Sequence, residues 1–185
     1  MRKLFGWLVF IFLIAAFDLQ AKEASVYDLQ TKWLSTDGQE KSIDLLVGHY
    51  VLVSMVYTSC PHACPLIIQR INNLNSELEK AGYKDISILL ASFDPKNDTP
   101  AALKKYQQTK KLDPKKWYFL AAKSDASARE LSVVLNISYK DLGDGDFSHS
   151  NVITLLDKEG HVLKVANNLN FDPQDFIQAL RNHQK

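Results

Sequence analysis

The sequence has almost no net charge, only two cysteines, no internal repeat and no low-complexity stretch in 185 residues. Lys plus Arg number 22 against 21 Asp plus Glu, so a formal charge of +1 supplies no basic field for nucleic acid and no reason to expect a strongly charged partner. Without repeats or biased segments, the default is one domain of ordinary size, long enough to bury a proper apolar core. The two cysteines, Cys60 and Cys64, sit four residues apart. A disulfide kept for stability closes a long loop, whereas this pair closes almost nothing, so its value is chemical rather than mechanical.

A hydrophobic run long enough for an easy bilayer span is also missing. The apolar stretch from Leu4 to Phe17 follows Met1-Arg2-Lys3 and closes with Asp18-Leu19-Gln20-Ala21. A basic start, a short apolar core and a small residue at the end match an export signal. Leu19 stands three residues before the cut, where a small side chain is preferred, so an uncut signal acting as an anchor stays open. Residues 1–21 are therefore expected to be a signal peptide or N-terminal membrane anchor, with 22–185 as the exported domain.

Within that domain, Asp37-Gly38 marks a tight hairpin between 27 and 43. The run 50–57 is too apolar for a solvent-facing strand and reads as a central one. A helix is expected over 65–80, with Leu66, Ile67, Ile71, Leu74 and Leu78 on its buried face and Gly82 as its stop. Strands over 86–92 and 117–121 alternate with helices over 99–110 and 124–135. Strands 152–156 and 162–165 then flank a turn at 157–160, and a helix over 173–182 closes the chain. The Gly/Asp-rich segment 141–147 reads as a loop. Strands alternating with helices and ending in a hairpin plus helix predict a three-layer α/β domain with a mixed central β-sheet.

The segment Thr58-Ser-Cys-Pro-His-Ala-Cys-Pro65 lies where a buried strand hands over to a helix. Unpaired backbone N–H groups there favour thiolate over thiol. Helical residues at i and i+4 have Cβ atoms about 5–6 Å apart, wider than the roughly 3.5–4.5 Å of a disulfide. A metal ion spans that gap readily, so the spacing leans toward metal while leaving redox cycling open. Among five histidines, His49, His161 and His183 have local explanations beside a strand, a turn and a helix end. His149, in Phe147-Ser-His-Ser-Asn-Val152 at the end of the Gly/Asp-rich loop, is the candidate third ligand. Two thiolates with one imidazole favour one copper ion, Cu(I) or Cu(II), over zinc, which usually takes a fourth protein ligand; only His62 stands near enough in sequence to offer one. A thiol peroxidase would need an activating arginine, and Arg70 lies too far down the helix.

Three blocks, 58–65, Ser92-Phe-Asp-Pro-Lys-Asn-Asp-Thr-Pro100 and His149-Ser-Asn-Val-Ile-Thr-Leu-Leu-Asp157, together resemble the Sco/SenC family of copper-binding, thioredoxin-like assembly factors for cytochrome c oxidase. The resemblance implies a thioredoxin-like fold with Cys60, Cys64 and His149 as copper ligands. It implies delivery of copper to the dinuclear copper A centre of oxidase subunit two, or reduction of that centre's cysteines. The expected partners are that subunit or another copper enzyme, periplasmic copper donors or thiol reductants, and the inner membrane through an uncleaved N-terminus, on whose periplasmic side the domain would lie. The alternative is a periplasmic thiol–disulfide oxidoreductase acting without copper. Asp94 and Asp98 match acidic positions of the second block, with a role beside the ligands or in docking, or simply as turn and helix cap. The family commonly has Asp where this chain has His62 and Ser148, so His62 becomes a further candidate around the metal.

Overall fold

The computed structural model describes residues 24–184. The expected signal or anchor segment lies outside them. Among the described residues no helix is long and apolar enough to cross a membrane.

A hairpin, β1 (Lys32–Ser35) and β2 (Glu40–Ser42), turns at Gly38 with φ of 80°. It leads to β3 (Tyr50–Val56), followed by α1 (Ala63–Lys80), β4 (Ile86–Ser92), α2 (Pro100–Thr109), β5 (Trp117–Ala122) and α3 (Asp125–Val134). The chain continues through β6 (Tyr139–Gly143), β7 (Asp146–His149), β8 (Ile153–Leu156), β9 (Val162–Ala166) and α4 (Pro173–His183). The main sheet runs β2-β1-β5-β4-β3-β8-β9. Strands β3, β4 and β5 are parallel, and β1, β8 and β9 join antiparallel, so the sheet is mixed as expected.

All seven residues of β4 and six of the seven in β3 are buried. Successive side chains point to opposite faces, so both faces of the sheet centre must be covered. Helices α1 and α4 pack against each other, and α2 and α3 pack on β5. Phe176, Ile177 and Leu180 of α4 are buried, each removal from water being worth about 2–3 kcal/mol.

Two expectations are corrected. The segment 141–147 is a hairpin, not a loop. Gly143, Asp144 and Gly145 turn at φ of 90°, 54° and 78°, which Gly and Asp tolerate, and β6 pairs with β7 from Tyr139↔His149 onward. Composition signalled the turn but hid the ribbon around it, because its core-facing residues, among them Phe147, alternate with exposed ones. Leu66 is 51% exposed, and Ile68 takes its place in the core. Residues 64, 67, 68, 71, 74, 75 and 78 form the buried stripe, and position 66 falls about 100° round the helix from 67.

Candidate metal and thiol site

Strand β3 ends at Val56 in the middle of the sheet, and the chain crosses Tyr57-Thr58-Ser59 before α1 begins at Ala63. The helix thus begins two residues earlier than a start at Pro65, and Cys64 lies inside its first turn instead of just before it. Pro65 is harmless there, since its missing N–H would have been unpaired anyway. His62 occupies the N-cap position, yet its side chain makes no capping bond. The sulfur of Cys60 serves instead, accepting the Cys64 N–H at 3.2 Å. Cys60 is 7% exposed and Cys64 not at all, and both are free thiols.

The position of Cys60 is set from below by Asp98. Its buried carboxylate accepts the Thr58 N–H at 3.0 and 3.1 Å, the Thr58 hydroxyl and the Ser92 hydroxyl. Burial pushes this carboxyl upward, and the Ser92 and Thr58 hydrogen bonds pull the other way. Asp98 is thus a strut beneath the cysteine loop and not the cap of α2; Thr99 fills that position, accepting the Ala102 N–H. Asp94 closes a turn, accepting from Lys96 N, Asn97 N and Asn97 Nδ2. His62 is exposed and stands outside the cluster of thiols.

His149 is the last residue of β7. Its Nδ1–H donates to the Ser150 carbonyl at 3.1 Å, which leaves the Nε2 lone pair facing Cys64 Sγ at 4.0 Å. Tyr57 and Phe93 pack on the imidazole with centroids 5.8 and 5.3 Å away, and Phe93 stacks on Tyr139. The Tyr57 hydroxyl donates to Asp146 at 2.7 Å, which ties the strand end to the start of β7. These aromatic and Asp146 contacts escaped sequence reasoning. The available signal was that Phe93 adjoins Asp94 and Phe147 lies two residues before His149, on the same face of one strand.

The ligand atoms of Cys60, Cys64 and His149 all lie within 4.8 Å of one another. Around a three-coordinate ion, bonds of about 2.3 Å to sulfur and 2.0–2.1 Å to nitrogen put sulfurs roughly 4.0 Å apart and sulfur and nitrogen roughly 3.8 Å apart. The donor set and its separations therefore fit one soft cation with little rearrangement.

The two thiols are chemically unequal. Burial raises the Cys60 thiol, but hydrogen bonds from the Cys64 N–H and the His62 N–H, joined by one from His149 when its imidazole is protonated, outweigh it and bring the pKa down to about 7. Burial pushes Cys64 well above the ordinary thiol range, and the charge of Cys60 adds to the effect. Thiolate is the nucleophile, so alkylation should rise with pH through the Cys60 transition. In the reduced, metal-free chain, iodoacetamide is expected to label Cys60 with a midpoint near pH 7 and to spare Cys64. Mass spectrometry of quenched samples reads this directly; equal labelling of the two would contradict it. A depression of about 490 Å³, lined by Ser59, Pro61, Asn97, Asp144, Gly145 and Asp146, opens between the cysteine loop and the hairpin turn.

Fold and site together define a thioredoxin-like domain in which a dithiol at a helix N-terminus meets an imidazole from a hairpin. The model of the SCO1/SenC family matches residues 20–185, and the chain belongs to that family. It is 30% identical over 179 residues to the SCO1 protein homolog of Bacillus subtilis, covering 95% of this chain and 92% of that one. Among solved structures, BsSco, a member of the Sco family of cytochrome c oxidase assembly proteins with an identified disulfide switch, is 26% identical with a TM-score of 0.71. That match covers 87% of this chain and 95% of BsSco. The copper-bound ScoI of Arabidopsis thaliana shares the fold at a TM-score of 0.72 and 22% identity, over 82% of this chain and 96% of its own.

Proposed function

We propose that this chain is a copper-binding assembly factor that holds one copper ion through Cys60 Sγ, Cys64 Sγ and His149 Nε2. The observation that carries the reading is the Nε2 lone pair, freed by the Ser150 carbonyl and turned toward the buried Cys64 sulfur. Two thiolates and one imidazole suit copper in either oxidation state, and with only three protein donors the ion stays transferable to a better site. The recipient is the copper A centre of cytochrome c oxidase subunit two or another copper enzyme. The family relationship supports this, as does the likeness to BsSco, a member of a family of cytochrome c oxidase assembly proteins. The chain's apolar start supports a place on the periplasmic side of the inner membrane, anchored or released after cleavage.

The test is twofold. Reduced protein titrated with copper should take up one equivalent and show copper(II)–thiolate charge-transfer absorption. Cells lacking the gene should lose copper A-dependent oxidase activity and regain it with the wild-type chain but not with Cys60→Ser/Cys64→Ser. Absence of a saturable equivalent sinks the copper reading; undiminished oxidase activity sinks the assignment of recipient.

The inequality of the thiols favours a second reading, thiol–disulfide exchange on the recipient's cysteines. The Cys60 thiolate attacks a partner disulfide, forming a mixed disulfide and releasing one partner thiolate. Deprotonated Cys64 then attacks Cys60 Sγ and releases the second. The partner gains two electrons as two thiols, the chain is left with a Cys60–Cys64 disulfide, and a periplasmic thiol reductant restores it. A Cys64→Ser variant traps the mixed disulfide in cells if this step occurs; recovery of no adduct counts against it.

A further inference from the structure

At the end of the sheet opposite the cysteines, the β8–β9 turn meets the C-terminal end of α4. The register Val51↔Leu156 places this turn beside the start of β3, whereas Cys60 follows its end. Asp157 opens the turn with a side chain only 5% exposed. Its Oδ1 accepts the backbone N–H groups of Glu159 at 3.0 Å and His161 at 2.7 Å. Its Oδ2 is held by His161 Nδ1 at 3.1 Å and faces His183 Nε2 at 3.9 Å. That last separation is too long for a hydrogen bond. Two ligands on a tetrahedral zinc ion, with bonds of about 2.0–2.1 Å, stand roughly 3.3 Å apart, so a small rotation of the half-exposed imidazole closes the gap. Glu159 completes a set of three ligand atoms within 4.8 Å of one another.

We propose that Asp157, Glu159 and His183 form a second metal site, for a divalent cation of borderline softness such as zinc(II) or copper(II). One imidazole and two carboxylates suit such ions and do not suit copper(I), so this site is chemically distinct from the thiolate pair. His161 acts as the group that orients the Asp157 carboxylate, as outer partners of metal ligands generally do. The surroundings favour a cation. His183 lies in the last turn of α4, at the negative end of the helix dipole. The Tyr27 hydroxyl nearby is raised by its burial and then by the charges of Asp157, Asp44 and Glu159.

An ion here would clamp three parts of the chain. The turn is fixed to the first described residues by Ser25 Oγ donating to the Glu159 carbonyl at 2.6 Å and Val26 N to Gly160 O at 2.9 Å. Gly160, at φ of 87°, leaves no room for a Cβ against the Tyr27 ring. The metal would add α4 to that junction, and binding to the folded state alone raises stability by mass action.

The experiment uses the full chain in mild detergent with Cys60→Ser/Cys64→Ser, so that the thiolate site is silent. Titration with zinc(II) should give one saturable equivalent and a higher Tm. Copper(II) should give an electron paramagnetic resonance signal with coupling to one imidazole nitrogen and no thiolate charge transfer. Adding His183→Ala should weaken zinc binding at least tenfold and abolish the rise in Tm, and Glu159→Gln should weaken it severalfold. Both positions are exposed, so these variants keep the fold, whereas Asp157 is avoided because two backbone donors depend on it. No saturable equivalent in the thiol-free chain, or zinc affinity indifferent to His183→Ala, would overturn the proposal.

Discussion

His149→Ala is expected to lower copper(II) affinity at least about a hundredfold while reducing copper(I) affinity far less. Copper(I) is satisfied by two thiolates, and the sulfurs of Cys60 and Cys64 remain where Asp98 and the helix start hold them. Copper(II) prefers a tetragonal set with nitrogen or oxygen donors, so loss of the imidazole removes the ligand that makes the oxidised ion acceptable. The ring is held by the Ser150 carbonyl and packs against Tyr57 and Phe93, while His62, the nearest imidazole in sequence, is exposed and outside the cluster. Cys60→Ser and Cys64→Ser should by contrast abolish binding of either oxidation state at micromolar copper. Competition titrations with chelators of known affinity, run separately for each oxidation state, read the difference. Equal loss in both states would mean that the imidazole is no selective ligand for copper(II), and no loss in either would remove His149 from the site.

Asp98→Ala is expected to destabilise the fold by about 2–4 kcal/mol, roughly 4–16 °C in Tm for a domain of this size. The carboxylate serves the Thr58 N–H, the Thr58 hydroxyl and the Ser92 hydroxyl inside the protein, and alanine leaves these donors without an acceptor. Asp98→Asn keeps one oxygen and should lie between the two. The sign of the pH effect follows from burial. Because the folded pKa is raised above its unfolded value, ionisation of Asp98 is harder in the folded protein, and its contribution to stability is largest at low pH and diminishes as pH rises through the folded pKa. Thermal melts of wild type and variants between pH 4 and 8 check both the size and the slope. A loss confined to copper binding, with Tm unchanged, would show that Asp98 is no strut.

The alternation of strands and helices was legible because each element carries its own period: β3 and β4 are continuous apolar runs, and α1 repeats its buried residues every three to four positions. Legibility failed where a residue's environment depends on distant chain. Leu66 is as apolar as Ile68, and only the direction in which α1 lies on the sheet decides which of them faces solvent. The ribbon of β6 and β7 is short, Gly-rich and half exposed, so it lacks the apolar run that marks a strand; the cluster of Tyr57, Phe93 and Tyr139 gives Phe147 and His149 their inward face. Asp94 and Asp98 look alike in sequence, yet one closes a local turn and the other crosses to Thr58.

By itself, the sequence determined the chemistry on offer: two thiols four residues apart at a helix start, an imidazole 85 residues later, and the strand-and-helix order that carries them. Those are properties of neighbouring residues, and local geometry suffices to read them. The tertiary structure alone decided that His149 turns its free nitrogen to Cys64, that Cys60 and Cys64 differ in acidity, and that His161 and His183 meet at Asp157. Each of these is a matter of a few ångströms between segments far apart in the chain, and only packing sets distances of that kind.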